Sequence, residues 1–204
     1  MEKKLCVFLV CAVLSACTLT GCGHNASGGS EKDRPIKIGV LYSLSGVTSV
    51  SEKQLYDGTK MAIQKINENG GIHGRKIETV FADYASDPAK AADKARKLIL
   101  DEKVTAIIGT CSSSARKAVK PVVESYHSLL IYPQSYEGQE QSKNIIYVGC
   151  IPNQQAEIFV KWLLKNVGKK FFLIGCDFVY PQVENKLAKE YLAAGGGSVV
   201  GEEY

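Results

Sequence analysis

The sequence predicts an α/β fold in which parallel strands form doubly wound sheets with helices on both faces. Short runs of apolar and β-branched residues, such as IKIGVLYSL at 36–44, alternate with longer segments whose apolar side chains recur at helical spacing. The alternation continues to the last residues, 198–204. It is typical of βαβ units, in which successive strands run parallel.

The apolar pattern and the residues that end each segment give the order of the elements. After strand 36–44, residues 52–71 form an amphipathic helix that ends in an Asn-Gly-Gly sequence. Pro88 falls in the first turn of the next helix, where its missing N–H costs little. The other predicted elements are strand 76–84, helix 87–102, strand 104–109, helix 114–127, strands 129–133 and 144–149, helix 153–166, strand 169–175, helix 183–197 and strand 198–204.

The N-terminal residues resemble a bacterial lipoprotein signal rather than part of the fold. A basic MEKK precedes the apolar LCVFLVCAVLSA, which is too short to span a bilayer. The following LTGC resembles a lipobox, which implies a signal peptide at 1–21 and lipid attachment at Cys22. LSAC makes Cys17 the alternative anchor, and a non-lipidated secretory signal is the other interpretation. The Gly- and Ser-rich residues 22–35 are predicted to be a flexible tether.

Composition and charge exclude several classes of protein. The chain has 204 residues and a net charge of +4, with basic and acidic residues interspersed, so no nucleic-acid-binding surface is predicted. Cys111, Cys150 and Cys176 follow the tether, without a CxxC motif or a histidine at metal-ligand spacing. We therefore expect no disulfide framework, metal or cofactor, and we expect these cysteines to be small residues at buried strand ends.

The stretch GTCSSSARK at 109–117 lies at a strand end, where ligands of such sheets bind. Catalysis by Ser113 is not expected, because His127 lies fourteen residues further along the same predicted helix, about 21 Å away. The stretch also lacks a phosphate-binding glycine motif. One of the serines is expected to cap the helix, which leaves spare donors at the strand end.

Other strand ends supply neutral polar groups. Tyr132, Gln134 and Ser135 follow one strand, and Tyr180 follows another, together with Phe178. Phenol and amide groups of this kind suit a small, uncharged, hydrogen-bonding molecule. Two acidic residues, Glu137 and Asp177, also follow strands. Either could hold the ammonium group of a ligand, but the favoured interpretation is that they pair with Arg116 or Lys117 on the predicted helix after the three serines.

Several motifs resemble the substrate-binding proteins of urea and short-chain amide ABC transporters, which are type I periplasmic binding proteins. The resemblance covers 36–204, and YEGQEQSKN and PNQQ are its most specific parts. The other motifs are SLSGVTSVSEKQLYDG, INENGGIHGRKIE, SARKAVKPVVE, LLIYPQSYEGQEQSKNIIYVG and DFVYP.

The resemblance implies two α/β lobes hinged around a cleft that closes on a small ligand and docks onto permease subunits. The first lobe would be 36–150, and 151–204 would begin a second lobe that remains incomplete, because members of the family are considerably longer. By position, Ser113 and Tyr132 should contact the ligand from the first lobe, with Gln134 and Ser135 in the loop after Tyr132. Tyr180 should contact it from the second lobe. Cys111 and Phe178 depart from the aromatic and tyrosine residues that are frequent at their positions.

The expected function is therefore that of a lipid-anchored receptor that captures urea or a short-chain amide and catalyses nothing. Its expected location is the outer face of the bacterial cytoplasmic membrane, or the periplasm. One alternative is a receptor for a branched-chain amino acid, which needs an acidic partner for the ligand ammonium. Another is an amide-sensing module that passes its signal to a protein partner.

Overall fold

Strands and helices alternate along residues 34–204, the part of the chain that the computed structural model describes. The predicted signal peptide, the lipidation candidates Cys22 and Cys17 and nearly all of the tether lie outside the described residues. The elements are β1 (Ile36–Tyr42), α1 (Ser49–Glu68), β2 (Ile77–Asp83), α2 (Pro88–Leu100), β3 (Ala106–Gly109), α3 (Ser113–Ser125), β4 (Leu130–Tyr132), β5 (Ile145–Tyr147), a 3₁₀ turn (Pro152–Gln154), α4 (Ala156–Asn166), β6 (Lys170–Ile174), α5 (Val179–Ala194) and β7 (Ser198–Glu203).

Five strands form a parallel sheet in the order β2-β1-β3-β4-β5, which confirms the predicted α/β class. Val40 at the centre of β1 pairs with Phe81 on one side and with Ile108 on the other. The chain therefore moves outwards in one direction after β1 and in the opposite direction after β2. Right-handed crossovers then place α1 on one face and α2 and α3 on the other. The order reverses between β1 and β3, which makes their carboxyl ends the switch point of the sheet.

The main core lies between this sheet and the α2–α3 pair. Leu41, Ile107 and Leu130 project from three neighbouring strands and are fully buried. Leu98 of α2 and Val119 of α3 meet them from the helices. Because the central strands are largely buried, β1 from Ile38 onwards and β3 are continuous apolar runs rather than an alternating pattern. This packing fixes the ends of β1, β3 and β4 relative to α3.

A second parallel sheet contains β6 and β7, connected through α5. The predicted lobe boundary at 150/151 falls between the two sheets, and residues 34–204 group as one compact unit. One face of the second sheet carries exposed apolar side chains, among them Phe172 and Ile174. Trp162 of α4 is also exposed.

Two expectations are wrong in detail. Helix α5 begins at Val179 rather than at 183, because Pro181 fits within a first helical turn instead of preceding the helix. Cys150 and Cys176 are exposed rather than buried. They occupy the connection between the sheets and the open end of β6, where neighbouring strands do not cover them.

Among residues 34–204, no helix combines the length and the apolar character needed to cross a membrane.

Candidate functional site

A cleft of about 460 Å³ opens at the switch point between β1 and β3, a size within the usual range for small-ligand sites. Four segments line it: the β1–α1 connection, the β3–α3 connection, the loop after β4 and the start of α5. The lining residues are Val47, Thr48, Ser51, Cys111, Ser112, Ser113, Gln134, Ser135, Phe178 and Tyr180. Four of the five predicted ligand contacts, Ser113, Gln134, Ser135 and Tyr180, are thus brought together.

The three consecutive serines before and within α3 have different partners. Ser112 is the N-cap, and its hydroxyl oxygen accepts a hydrogen bond from the Ala115 N–H at 3.2 Å. The carbonyl oxygen of Ser112 accepts the Arg116 N–H at 3.0 Å. Ser114 lies 3.2 Å from Ser112, between their hydroxyl oxygens. Because Ser112 caps the helix, the hydroxyl of Ser113 is not needed for that task and stands at the cleft wall.

The end of β3 lies unusually close to β1, and this places the serine loop, the β3–α3 connection at 110–112, at the edge of the sheet. Gly109, the last residue of β3, has a φ of 141°. A Cβ at this position would collide with the carbonyl oxygen of Leu41 on β1. Glycine is therefore required where the chain leaves β3 and enters the cleft.

Tyr132 lies beneath the cleft rather than along its lining. Its side chain is fully buried at the end of β4, and its hydroxyl donates to the carbonyl oxygen of Cys111 at 2.7 Å. Burial raises the pKa of Tyr132 to about 12, although the nearby Arg116 guanidinium opposes the rise. Tyr132 thus supports the backbone of the serine loop from below, and its predicted contact with a ligand stays a prediction.

The loop at 133–144 carries Gln134 and Ser135 and is attached to α3 through buried ion pairs. Nη2 of Arg116 donates to Glu137 and Nε donates to Glu140, both at 2.6 Å. The predicted pairing of Glu137 with Arg116 is confirmed. Asp177 instead accepts a hydrogen bond from the side-chain amide of Gln182 at 2.7 Å.

A second buried acid organises the β1–α1 connection. Glu52 accepts hydrogen bonds from the Ser43 N–H at 2.8 Å and from the hydroxyls of Thr48 and Tyr84, both at 2.6 Å. All three donors lie just beyond strand ends or at the start of α1. The carboxylate therefore ties the first two strand ends together and places Thr48 at the cleft.

The opposite wall consists of the first turn of α5. Phe178 is the N-cap residue and is 52% exposed, whereas Tyr180 is half-buried. Burial and the nearby carboxylate of Glu184 raise the pKa of Tyr180 to about 12. The phenol is therefore neutral at physiological pH and offers both a donor and an acceptor.

The side chains that line the cleft are neutral. Burial and the charge of Glu52 raise the pKa of Cys111 to about 11, so its thiol is not poised as a nucleophile. Within residues 34–204, no three His, Cys, Asp or Glu side chains lie close enough together to hold a metal ion. The cleft lining offers hydroxyls, an amide and a phenol, with apolar surface from Val47 and Phe178.

Sequence reasoning missed two parts of the site. Thr48 and Ser51 line the cleft, although no ligand contact was predicted from the sequence in the chain after β1. The complete burial of Arg116 and Glu52 was not predicted, because charged residues on amphipathic helices are normally solvated. The signal available for both was their position in the first turn of a helix that follows a buried strand.

Comparison with known proteins identifies the family. A sequence model described as a periplasmic binding protein domain matches residues 36–204. Among curated proteins, the Leu/Ile/Val-binding protein BraC3 of Rhizobium johnstonii is 27% identical over 165 residues, which cover 79% of this chain and 45% of BraC3. The chain thus spans less than half of the length of this relative.

Two solved structures extend the likeness to the fold. A solute-binding protein of an ABC transporter from Rhodopseudomonas palustris, in complex with 3,4-dihydroxybenzoic acid, gives a TM-score of 0.76 at 26% identity, covering 84% of this chain and 47% of that one. The second structure is the branched-chain amino acid transporter substrate-binding protein LivJ of Streptococcus pneumoniae in complex with isoleucine. Its TM-score is 0.75 at 24% identity, and the match covers 83% of this chain and 49% of that one. Both of these proteins are named as binding proteins of transporters.

Proposed function

Because the chain belongs to the periplasmic binding protein family, we propose that it is the solute-capturing component of an ABC transporter. The cleft at the switch point carries this proposal, because Ser113 and Tyr180 line it from the starts of two different helices. One helix follows β3 of the first sheet, and the other follows β6 of the second sheet. A solute between them would receive hydrogen bonds from both sides, and each bond would strengthen as the cleft closes and excludes water.

The ligand class that we favour is a small aliphatic amino acid. Its carboxylate would lie at the N-terminus of α3, where the helix dipole and the Ser113 hydroxyl favour an anion. Val47 and Phe178 offer apolar surface for the aliphatic side chain. The relatives named for leucine, isoleucine and valine support this choice over the one that the sequence motifs indicate.

Urea or a short-chain amide is the second candidate, and one observation favours it. An amino acid ligand needs an acidic side chain to pair with its ammonium group. The carboxylates of Glu137 and Glu140, however, each form an ion pair with Arg116. Among the described residues that line the cleft, none is acidic. The neutral hydroxyl, amide and phenol groups match the donors and acceptors of urea without further charge.

Titration calorimetry of the purified protein with leucine, isoleucine, acetamide and urea separates these candidates. We expect saturable binding of the aliphatic amino acids and weaker binding of the two amides. Saturable binding of urea or acetamide without binding of leucine would reverse the order of the candidates. A protein that binds none of the four solutes would overturn the proposed ligand classes.

We further propose that the protein is anchored by a lipid on Cys22 at the outer face of the cytoplasmic membrane and delivers its solute to permease subunits. A Cys22→Ser substitution should release the protein from the membrane fraction, whereas Cys17→Ser should not. Release by Cys17→Ser alone would assign the anchor to the other site. An amide-sensing role, in which a signalling protein replaces the permease as partner, predicts that loss of the protein leaves solute uptake unchanged.

A further inference from the structure

Arg116 is a fully buried arginine in the first turn of α3, directly below the wall of the cleft. Arginine is almost never fully buried unless its charge is paired. Here the central carbon of the guanidinium lies over two aromatic rings, 4.8 Å from the centroid of Tyr132 and 5.3 Å from that of Tyr136. These cation–π contacts add to the ion pairs along its edge.

The edge of the guanidinium contacts two different parts of the cleft. One part is α3 itself, since Nη1 donates to the hydroxyl oxygen of Ser113 at 3.3 Å. The other part is the loop at 133–144, through the bonds to Glu137 and Glu140. One side chain thus joins the serine wall to the loop that carries Gln134 and Ser135.

The loop depends on few other contacts for its shape. Its residues form neither helix nor strand. Within 133–141 the other hydrogen bonds are from the Tyr136 N–H to the Cys150 carbonyl oxygen at 3.2 Å, from Tyr147 to Glu140 at 3.0 Å and from Lys120 to the Gln141 carbonyl oxygen at 3.0 Å. The end of the loop is held separately, because Ser142 donates to Glu124 and Asn144 donates to the Ser128 carbonyl oxygen, both at 2.7 Å. Lys117 approaches Glu140 from the surface at 3.7 Å, so two basic and two acidic groups balance in this cluster.

Stability alone does not explain such a cluster. Buried ion pairs can often be replaced by neutral groups of similar volume without loss of stability, because desolvation offsets much of their attraction. What they can specify is a single arrangement of the segments they join. In this protein the joined segments are two neighbouring parts of the cleft lining.

We propose that Arg116 is a positioning residue of the cleft, which orients the Ser113 hydroxyl and fixes the loop carrying Gln134 and Ser135 without touching the solute. Because Arg116 donates to the oxygen of Ser113 and to the carboxylate of Glu137, one side chain fixes both the Ser113 side chain and the loop at the cleft wall. A solute that contacts Ser113 would therefore meet a wall of defined shape. The part concerning solute rests on the proposed function, whereas the part concerning the loop does not.

Two variants and a control test the proposal. Arg116→Lys keeps the charge but loses the planar fork that reaches two carboxylates. The triple variant Arg116→Met, Glu137→Gln, Glu140→Gln removes all three charges of the buried network and keeps its volume. Lys117→Met is the control, because it removes a basic group that approaches the same Glu140 from solvent.

Hydrogen exchange in the absence of solute is the first measurement. We expect the amides of 134–141 to exchange at least about tenfold faster in both Arg116 variants, while the core strands of the triple variant keep their protection. Lys117→Met should match the wild-type protein. Wild-type protection of this loop in both Arg116 variants would overturn the proposal, even if no solute has been found.

Affinity for leucine and acetamide, measured by calorimetry, is the second measurement. We expect at least about a tenfold loss for whichever of them binds the wild-type protein, in the triple variant as well as in Arg116→Lys. If neither solute binds the wild-type protein, the proposed ligand classes fail, and the loop measurement alone decides the role of Arg116. Wild-type affinity in a variant whose loop has loosened would show that the loop does not shape the site.

Discussion

At the scale of single residues, the chain entering α3 gives three adjacent serines three different environments. Ser112 caps the helix, Ser113 is 4% exposed and faces the cleft, and Ser114 contacts only the hydroxyl of Ser112 among the side-chain bonds of the described residues. This division allows the proposed binding role of the Ser113 hydroxyl to be tested separately from the capping role of Ser112.

Ser113→Ala should weaken solute binding by about threefold to tenfold, the usual contribution of one hydrogen bond. The thermal stability should fall as well, because the buried Nη1 of Arg116 loses its acceptor although Ser112 still supplies the cap. Titration calorimetry with the solute that binds the wild-type protein is the measurement. Ser114→Ala is the matched control, one residue further along the helix. A loss of affinity in Ser114→Ala but not in Ser113→Ala would contradict the orientation described here.

Acid should destabilise the protein through Glu137 and Glu140. Burial raises the pKa of each carboxyl group, but other effects outweigh it. A hydrogen bond from Ser113 lowers the pKa of Glu137, a hydrogen bond from Arg116 lowers that of Glu140, and the charge of Arg116 lowers both. Both groups therefore have a pKa below the ordinary value of 4.5. Since the folded state binds these protons less tightly than the unfolded state, the stabilisation is complete above that value and is lost as pH falls through the lowered pKa values.

Urea unfolding between pH 6 and pH 3 checks this sign, with the pH limits about one and a half units on either side of the ordinary value. The free energy of unfolding should fall less steeply below pH 4.5 in Glu140→Gln than in the wild-type protein, because one linked proton site is gone. Glu78→Gln, at a half-exposed ion pair with Lys37, serves as the control and should retain the wild-type slope. Equal slopes in Glu140→Gln and the wild-type protein would refute the linkage.

At the scale of helices and strands, α2 and α3 carry the core beneath the cleft. Leu98 of α2 is 2% exposed and packs close to Gly39 of β1, whereas Leu100 is 46% exposed. Leu98→Ala should lower the free energy of unfolding by about 2–5 kcal/mol because it leaves a cavity. Leu100→Ala, the same change two residues away, should alter it by less than about 0.5 kcal/mol. Urea denaturation of the two variants makes the comparison; similar losses would mean that α2 is rotated.

The sequence predicts these elements well where one physical signal dominates. Buried strands such as β1 and β3 are continuous apolar runs, and Pro88 marks the start of α2 as expected. The start of α5 was misplaced, because Pro181 is compatible both with a turn and with a first helical turn. Local sequence does not distinguish these conformations; the packing of the helix against β7 does.

In the candidate site, too, the sequence predicts which residues lie near one another but not which way each side chain points. Strand-end position was enough to bring Ser113, Gln134, Ser135 and Tyr180 together, because carboxyl ends of parallel strands share one edge. It was not enough for Tyr132, whose side chain points under the serine loop rather than into the cleft. Along a strand, side chains alternate between faces, and the residue at which the strand ends decides which face the last one takes. The burial of Arg116 was also missed, because the two acidic partners that balance its charge lie more than twenty positions away in the sequence.

At the scale of the whole molecule, the second sheet exposes apolar surface that the first sheet covers with helices. Ile158, Phe159 and Trp162 of α4 are each more than half exposed, and Phe172 and Ile174 of β6 are exposed as well. Exposed apolar patches of this kind commonly mark surfaces of contact.

Trp162 is the single tryptophan of the chain and reports directly on this surface. Its side chain is 54% exposed, so its fluorescence should be quenched readily by iodide in the folded protein. The quenching constant should rise only modestly, by less than about twofold, on unfolding in urea, because half of the side chain already contacts water. Weak quenching in the folded protein, with a large rise on unfolding, would show that another surface covers α4.

The capped start of α3 also constrains how sequences of this kind can diverge. A helix advances by about 100° per residue, so one residue inserted or deleted between Gly109 and Ser113 would turn the Ser113 hydroxyl away from the cleft and bring a neighbour to its place. A substitution within that short connection changes one side chain of the lining, whereas a change of its length displaces several of them together. Proteins that share this cleft should therefore tolerate different residues there but keep the spacing constant.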